Sequence, residues 1–167
     1  MQFAKLNKLF FILLLIPACF SAQELIDYPT EPNKDTINKK TKIINAIFLQ
    51  DRFTLMTGSN GCFHSVSVEY TFIKKAGKVE VTYVKRYNQQ DEKPKCKGRI
   101  KLTPQKLKAI QDLCIHGLKI KQSFCTTSVD FELKGKIQYV AFNDSRCSAD
   151  DDIMQQIEKI VGVCKDF

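Results

Sequence analysis

A chain of 167 residues with 44% hydrophobic content is long enough to bury one sizeable core. Its 26 Lys and Arg against 18 Asp and Glu give a formal net charge of +8, which favours solubility and attraction to polyanions. No internal repeat or low-complexity segment occurs, and no apolar run reaches the roughly 20 residues that a membrane-spanning helix needs.

The chain opens on Lys5 and Lys8, followed by an unbroken apolar run from Leu9 to Ile16, then Pro17 and the small residues Ala18, Ser21 and Ala22. A positive start, a short apolar stretch and small residues at the end are the marks of a secretory signal peptide, here residues 1–22. Ile16-Pro17-Ala18-Cys19 also resembles a bacterial lipobox, in which the cysteine becomes the lipidated first residue. Pro17 departs from that pattern, and the simpler expectation is that Cys19 leaves with the leader.

Residues 23–42 are polar, with Pro29, Pro32 and a cluster at Lys39, Lys40 and Lys42, and read as a flexible tether. A single domain is expected over residues 43–167. Its first segment, Ile43 to Leu49, fits either a helix turn or a strand. Arg52 to Thr57 reads as a short strand and Gly58-Ser59-Asn60-Gly61 as a loop. Ser65 to Lys75 alternates clearly, with Val66, Val68, Tyr70 and Phe72 facing one way. After a turn at Ala76-Gly77, Val79, Val81, Tyr83 and Tyr87 continue the pattern in a second strand.

Beyond a polar connection, Lys93, Lys95, Lys97, Arg99 and Lys101 take successive odd positions, while Cys96, Ile100 and Leu102 take even ones. As a strand, this stretch has one wholly basic face and one inward face. Thr103 then caps a helix with Pro104 at its first position, and Leu107, Ile110 and Cys114 form its buried stripe. A hairpin follows, with runs from Val129 to Leu133 and from Ile137 to Phe142 about Gly135. A last helix is expected to open at Ser148, with Asp150, Asp151 and Asp152 against the positive end of its dipole. Strands in runs, without regular strand–helix alternation, give an α+β class: an antiparallel sheet of five to six strands with two helices on one face, braced by disulfides.

Six of the seven cysteines lie beyond the leader: Cys62, Cys96, Cys114, Cys125, Cys147 and Cys164. An even number in an exported chain implies disulfides. The open end of the hairpin brings Cys125 towards Cys147. Cys114 with Cys164, and Cys62 with Cys96, are the further pairs expected. No Cys-x-x-Cys occurs, so no metal is expected, and no cofactor motif is present.

His64 and His116 are the only histidines. His64 with Asp144 or Ser59 would be the elements of a small periplasmic hydrolase, but no nucleophile elbow or spaced carboxylate pair supports a catalytic assignment. The basic run at Lys93, Lys95, Lys97, Arg99 and Lys101 is the sharpest feature. It suits a polyanion, an anionic envelope component or an acidic protein; it equally suits an edge strand that lysines guard against edge-to-edge pairing, and the guard is the plainer reading. No aromatic interleaves it, which argues against nucleic acid. Exported leader, tether and disulfide-braced domain together point to a secreted, periplasmic or cell-surface protein of a bacterial envelope, a binding or interaction module rather than an enzyme.

Overall fold

A computed structural model describes residues 33–61, 64–87, 93–120, 127–144 and 152–164, with His64 described in its backbone alone. The leader, Cys19, residues 23–32, Cys62, Cys125, Cys147 and Ser148 lie outside these residues.

Side-chain alternation decides the architecture. Six strands, β1 (Arg52–Gly61), β2 (His64–Lys75), β3 (Lys78–Tyr87), β4 (Cys96–Leu102), β5 (Ser128–Lys134) and β6 (Tyr139–Asp144), form one antiparallel sheet in the order β4-β3-β2-β1-β5-β6. The register aligns apolar residues into rows: Phe72 stands opposite both Phe53 and Val81, and Leu55 opposite both Tyr70 and Leu133. These side chains share one face and are fully or nearly fully buried. Three helices cover it: α1 (Lys34–Phe48), α2 (Pro104–Gly117) and α3 (Ile153–Val161). They contribute Ile44, Ile47, Phe48, Ile110, Cys114, Ile153, Ile157 and Val161 to the same core. The class is α+β, with one helix more than expected.

The additional helix comes from the segment read as a tether. Asn33 caps it, its side chain accepting from the Asp35 N–H at 2.8 Å. Ile37, Ile44, Ile47 and Phe48 make one inward stripe, while the lysines between them face outward or sideways. Residues 34–42 therefore belong to the domain. Their polarity is that of a helix's solvent face, and burial of the later isoleucines fixes the helix.

Gly58-Ser59-Asn60-Gly61 is also not a loop; it completes β1. Neighbours on both sides supply the reason, since Gly58 stands opposite Ser67 of β2 and Asp130 of β5. Glycine in a strand costs roughly 0.5–1 kcal/mol, a cost that ladder pairing on both flanks of β1 offsets here. The Ala76-Gly77 turn stands as expected, with both residues at positive φ (49° and 73°).

In the β5–β6 hairpin the second strand starts at Tyr139, and Ile137 lies exposed in the turn. Gly135 has no left-handed backbone; it lies close to the Gln50 amide instead. A Cβ there would meet the Gln50 side chain at 2.6 Å. Gln50, just beyond α1, clasps the turn by accepting from the Lys136 N–H at 2.7 Å and donating to Gln138 Oε1 at 2.5 Å. Helix α3 starts at Ile153, later than Ser148, and its cap is Asp152, which accepts from the Met154 N–H at 2.8 Å.

The cysteine pairing also differs. Cys96 is bonded to Cys164, with their Cα atoms 5.9 Å apart, and Cys114 is an unpaired, buried thiol. The pairs Cys62–Cys96 and Cys114–Cys164 are thereby replaced. Cys96 faces the core at the start of β4, opposite Lys85 of β3, and α3 ends above that spot. Lys85 reaches the Glu158 carboxylate of α3 at 2.7 Å beside it. Cys114 instead sits inside the core, where burial raises its thiol pKa to about 12. The Cys125–Cys147 pair falls outside the described residues.

Candidate functional site

The basic run becomes a site through the strand order. β4 is the last strand on its side of the sheet and pairs only with β3 among the described residues. Cys96 and Leu102 are buried and Ile100 is half-buried, whereas Lys97, Arg99 and Lys101 are exposed on the opposite face. Lys93 and Lys95, ahead of the strand, are exposed too. The strand ends at Thr103, whose hydroxyl accepts from the Lys106 N–H at 3.3 Å and so starts α2 where the sequence placed it. Gly98 lies under the Tyr83 ring.

The five cations are not equivalent. The Lys95 Nζ stands 4.0 Å from the centroid of the Tyr87 ring and also donates to its hydroxyl. That hydrogen bond holds the Tyr87 phenol below its ordinary pKa. Arg99 Nε lies 2.8 Å from the Glu80 carboxylate on β3, an exposed pair worth at most about 1 kcal/mol. Lys93, Lys97 and Lys101 have no ion-pair partner among the described residues.

Among the described residues the face that these cations edge is open, since the helices pack on the other side. Across it runs the row Arg99, Thr82, Thr71, Thr54, Lys134. The face's further carboxylates stand well away. Glu69 is two strands from β4; Asp130 and Glu132, on β5, are four strands away. At about 4.8 Å per strand that is roughly 10 and 19 Å, beyond a Debye length of about 8 Å at physiological salt. The positive field of β4 is therefore cancelled locally by Glu80 alone among the described carboxylates of this face.

The hydrolase elements are only partly assembled. Ser59 and Asp144 lie on the core side of the sheet in one row, each opposite Val129 of β5. Two strand spacings, roughly 10 Å, separate them, too far for a hydrogen bond. Asp144 is buried and both residues have interactions of their own. The His64 backbone pairs with Gly61, two residues beyond Ser59 and at the same end of the sheet as Ser59 and Asp144. His116 lies in the last turn of α2, where the dipole favours it. No cluster of His, Cys, Asp or Glu fit to hold a metal occurs among the described residues.

Sequence reasoning missed one surface. A groove of about 1090 Å³ lies at the corner between α1, β1 and the β5–β6 turn, and Leu49, Met56 and Ile137 stand exposed around it. An apolar residue in a turn, such as Ile137, was the one available signal. The charges lining the groove balance, with Asp51, Glu69 and Glu132 against Arg52, Lys134 and Lys136. No family model matches the chain, and no curated protein matches it in sequence.

Proposed function

We propose that this is an exported envelope protein that acts as a binding module, with the basic strand β4 as its contact surface for an anionic partner. The observation that carries this reading is the position of Lys97, Arg99 and Lys101: exposed, in step, and on the open face of an edge strand. Export rests on the leader and is supported by the Cys96–Cys164 bond, which belongs to oxidising compartments. No helix among the described residues is long and apolar enough to cross a membrane. The alternative, a small hydrolase using His64 with Asp144 or Ser59, gains no support from the sequence, which carries no nucleophile elbow and no spaced carboxylate pair.

The test is heparin retention as a function of salt, for the wild type and for a Lys97→Gln, Arg99→Gln, Lys101→Gln triple variant. Each anionic group neutralised releases counterions, so the wild type should elute at higher salt and show the steeper salt dependence. Folding stability should barely change, because exposed charges contribute little to it. Equal retention would leave β4's charges as a guard against edge pairing and nothing more.

A further inference from the structure

We infer that β4 accepts an extended acidic polypeptide as a seventh strand; this rests on the binding-module reading and names its partner class. An edge strand directs the backbone N–H and C=O groups of alternate residues away from its one neighbour. Among the described residues no strand takes those of β4. The sheet's other edge is managed differently. There α1 lies against β6, and the Lys40 Nζ donates to the Ala141 carbonyl at 2.8 Å. A helix side chain takes up one carbonyl of that edge; the β4 edge is open and charged among the described residues.

The charges on the open edge have the period of a strand. Lys97, Arg99 and Lys101 recur every second residue on one face, about 7 Å apart. A strand docked alongside would place its own alternate side chains directly opposite, with Cβ atoms about 4.5–5.5 Å away, where opposite charges attract and like charges repel. Carboxylates at every second position fit that spacing. On the other face the half-buried Ile100 offers contact to the intervening side chains, which favours β-branched residues there. The same cations that repel a basic strand, and that an uncharged strand would leave unpaired, would therefore select an acidic one. They also exclude a second copy of β4, which would set cation against cation. A sulfated glycan would use the charges and leave the backbone edge idle.

Two peptides decide the matter, both built on acetyl-Thr-Glu-Val-Glu-Val-Glu-Thr-amide and read by fluorescence anisotropy at low salt against the full mature chain. One is N-methylated at the three Glu residues, the other at the two Val residues. In a strand, only one of these sets points its N–H groups at β4. The unmethylated peptide should bind, one methylated form should bind at least tenfold more weakly, and the other should bind like the parent. The Lys97, Arg99 and Lys101 triple Gln variant should weaken binding of the parent at least tenfold. Equal binding by the parent and both methylated peptides would overturn strand addition while leaving the charged surface as a binding site. Heparin binding without binding of any of these peptides would also overturn it, in favour of a non-peptide polyanion. Failure of heparin and peptides alike would remove the binding-module reading itself.

Discussion

Tyr83 of β3 lies across Gly98 of β4 so closely that a Cβ on Gly98 would stand 2.5 Å from the phenol oxygen. The two residues are register partners, and the Tyr83 hydroxyl goes on to accept a hydrogen bond from the Cys164 N–H at 3.3 Å. One tyrosine thus covers the gap in the edge strand and ties it to the residue just beyond α3. Gly98→Ala would push the ring off this seat. Overpacking of this kind costs about 1–3 kcal/mol, so urea denaturation should find the variant less stable by that amount. An unchanged midpoint would mean that the ring is free to move aside.

The Cys96–Cys164 bond fastens the same corner across a sequence separation of 68. In the chain-entropy model a loop of that length is worth about 4 kcal/mol. A Cys96→Ser, Cys164→Ser double variant should lose stability on that scale. Non-reducing peptide mapping should join these two cysteines, and native alkylation at pH 8 should leave Cys114 unmodified until the chain is unfolded. Rapid labelling of Cys114 in the native protein would contradict its burial.

Alkaline pH should destabilise the fold through Cys114. Burial raises the thiol from its ordinary 9.0 to about 12, so between those values the unfolded chain gives up a proton that the folded chain keeps. Where the folded state binds more protons, stability falls as pH rises. The full window corresponds to roughly 4 kcal/mol, at 1.36 kcal/mol per pKa unit. Below pH 9 this group makes no difference. Tyr70, raised first by burial and then by the Glu158 carboxylate, acts in the same direction above pH 10. Denaturation curves at pH 8, 9.5 and 10.5 should show the decline. Cys114→Ala should start less stable and decline less steeply; equal slopes would assign the effect elsewhere.

The sheet was largely legible because its signal is local. Val66 to Phe72 and Val79 to Tyr83 alternate without interruption, and the same parity placed Lys97, Arg99 and Lys101 outward. What parity cannot say is which strand ends the sheet, because strand order depends on contacts remote in sequence. The significance of the basic run therefore had to wait for the topology. The cysteine pairing failed for the same reason: Cys96 meets Cys164 only once α3 has crossed the sheet. Gly58 and Gly61 misled in a different way, since pairing on both flanks of β1 overrides their local preference for a turn.

Helix α1 shows how far a polar surface can hide a structural element. The run Lys34 to Lys42 carries four lysines and reads as solvated chain, yet it forms the first turns of a helix that holds Ile44, Ile47 and Phe48 in the core. A chain starting at Thr41 would lose the Asn33 cap, the Ile37 contact and the Lys40 bond to Ala141, and would leave the β6 edge without that donor. The cap alone is worth about 1 kcal/mol, and each such increment shifts the melting temperature by about 4 °C in a domain of this size. The Thr41-start variant should therefore melt several degrees below one starting at Asn33, and Asn33→Ala in the full mature chain should account for part of the difference. Loss of lysine polarity alone would not produce it, so Lys34→Gln together with Lys39→Gln serves as the control and should leave the melting temperature within a degree or so. Equal melting of the two truncated chains would return residues 34–42 to the role of a dispensable tether.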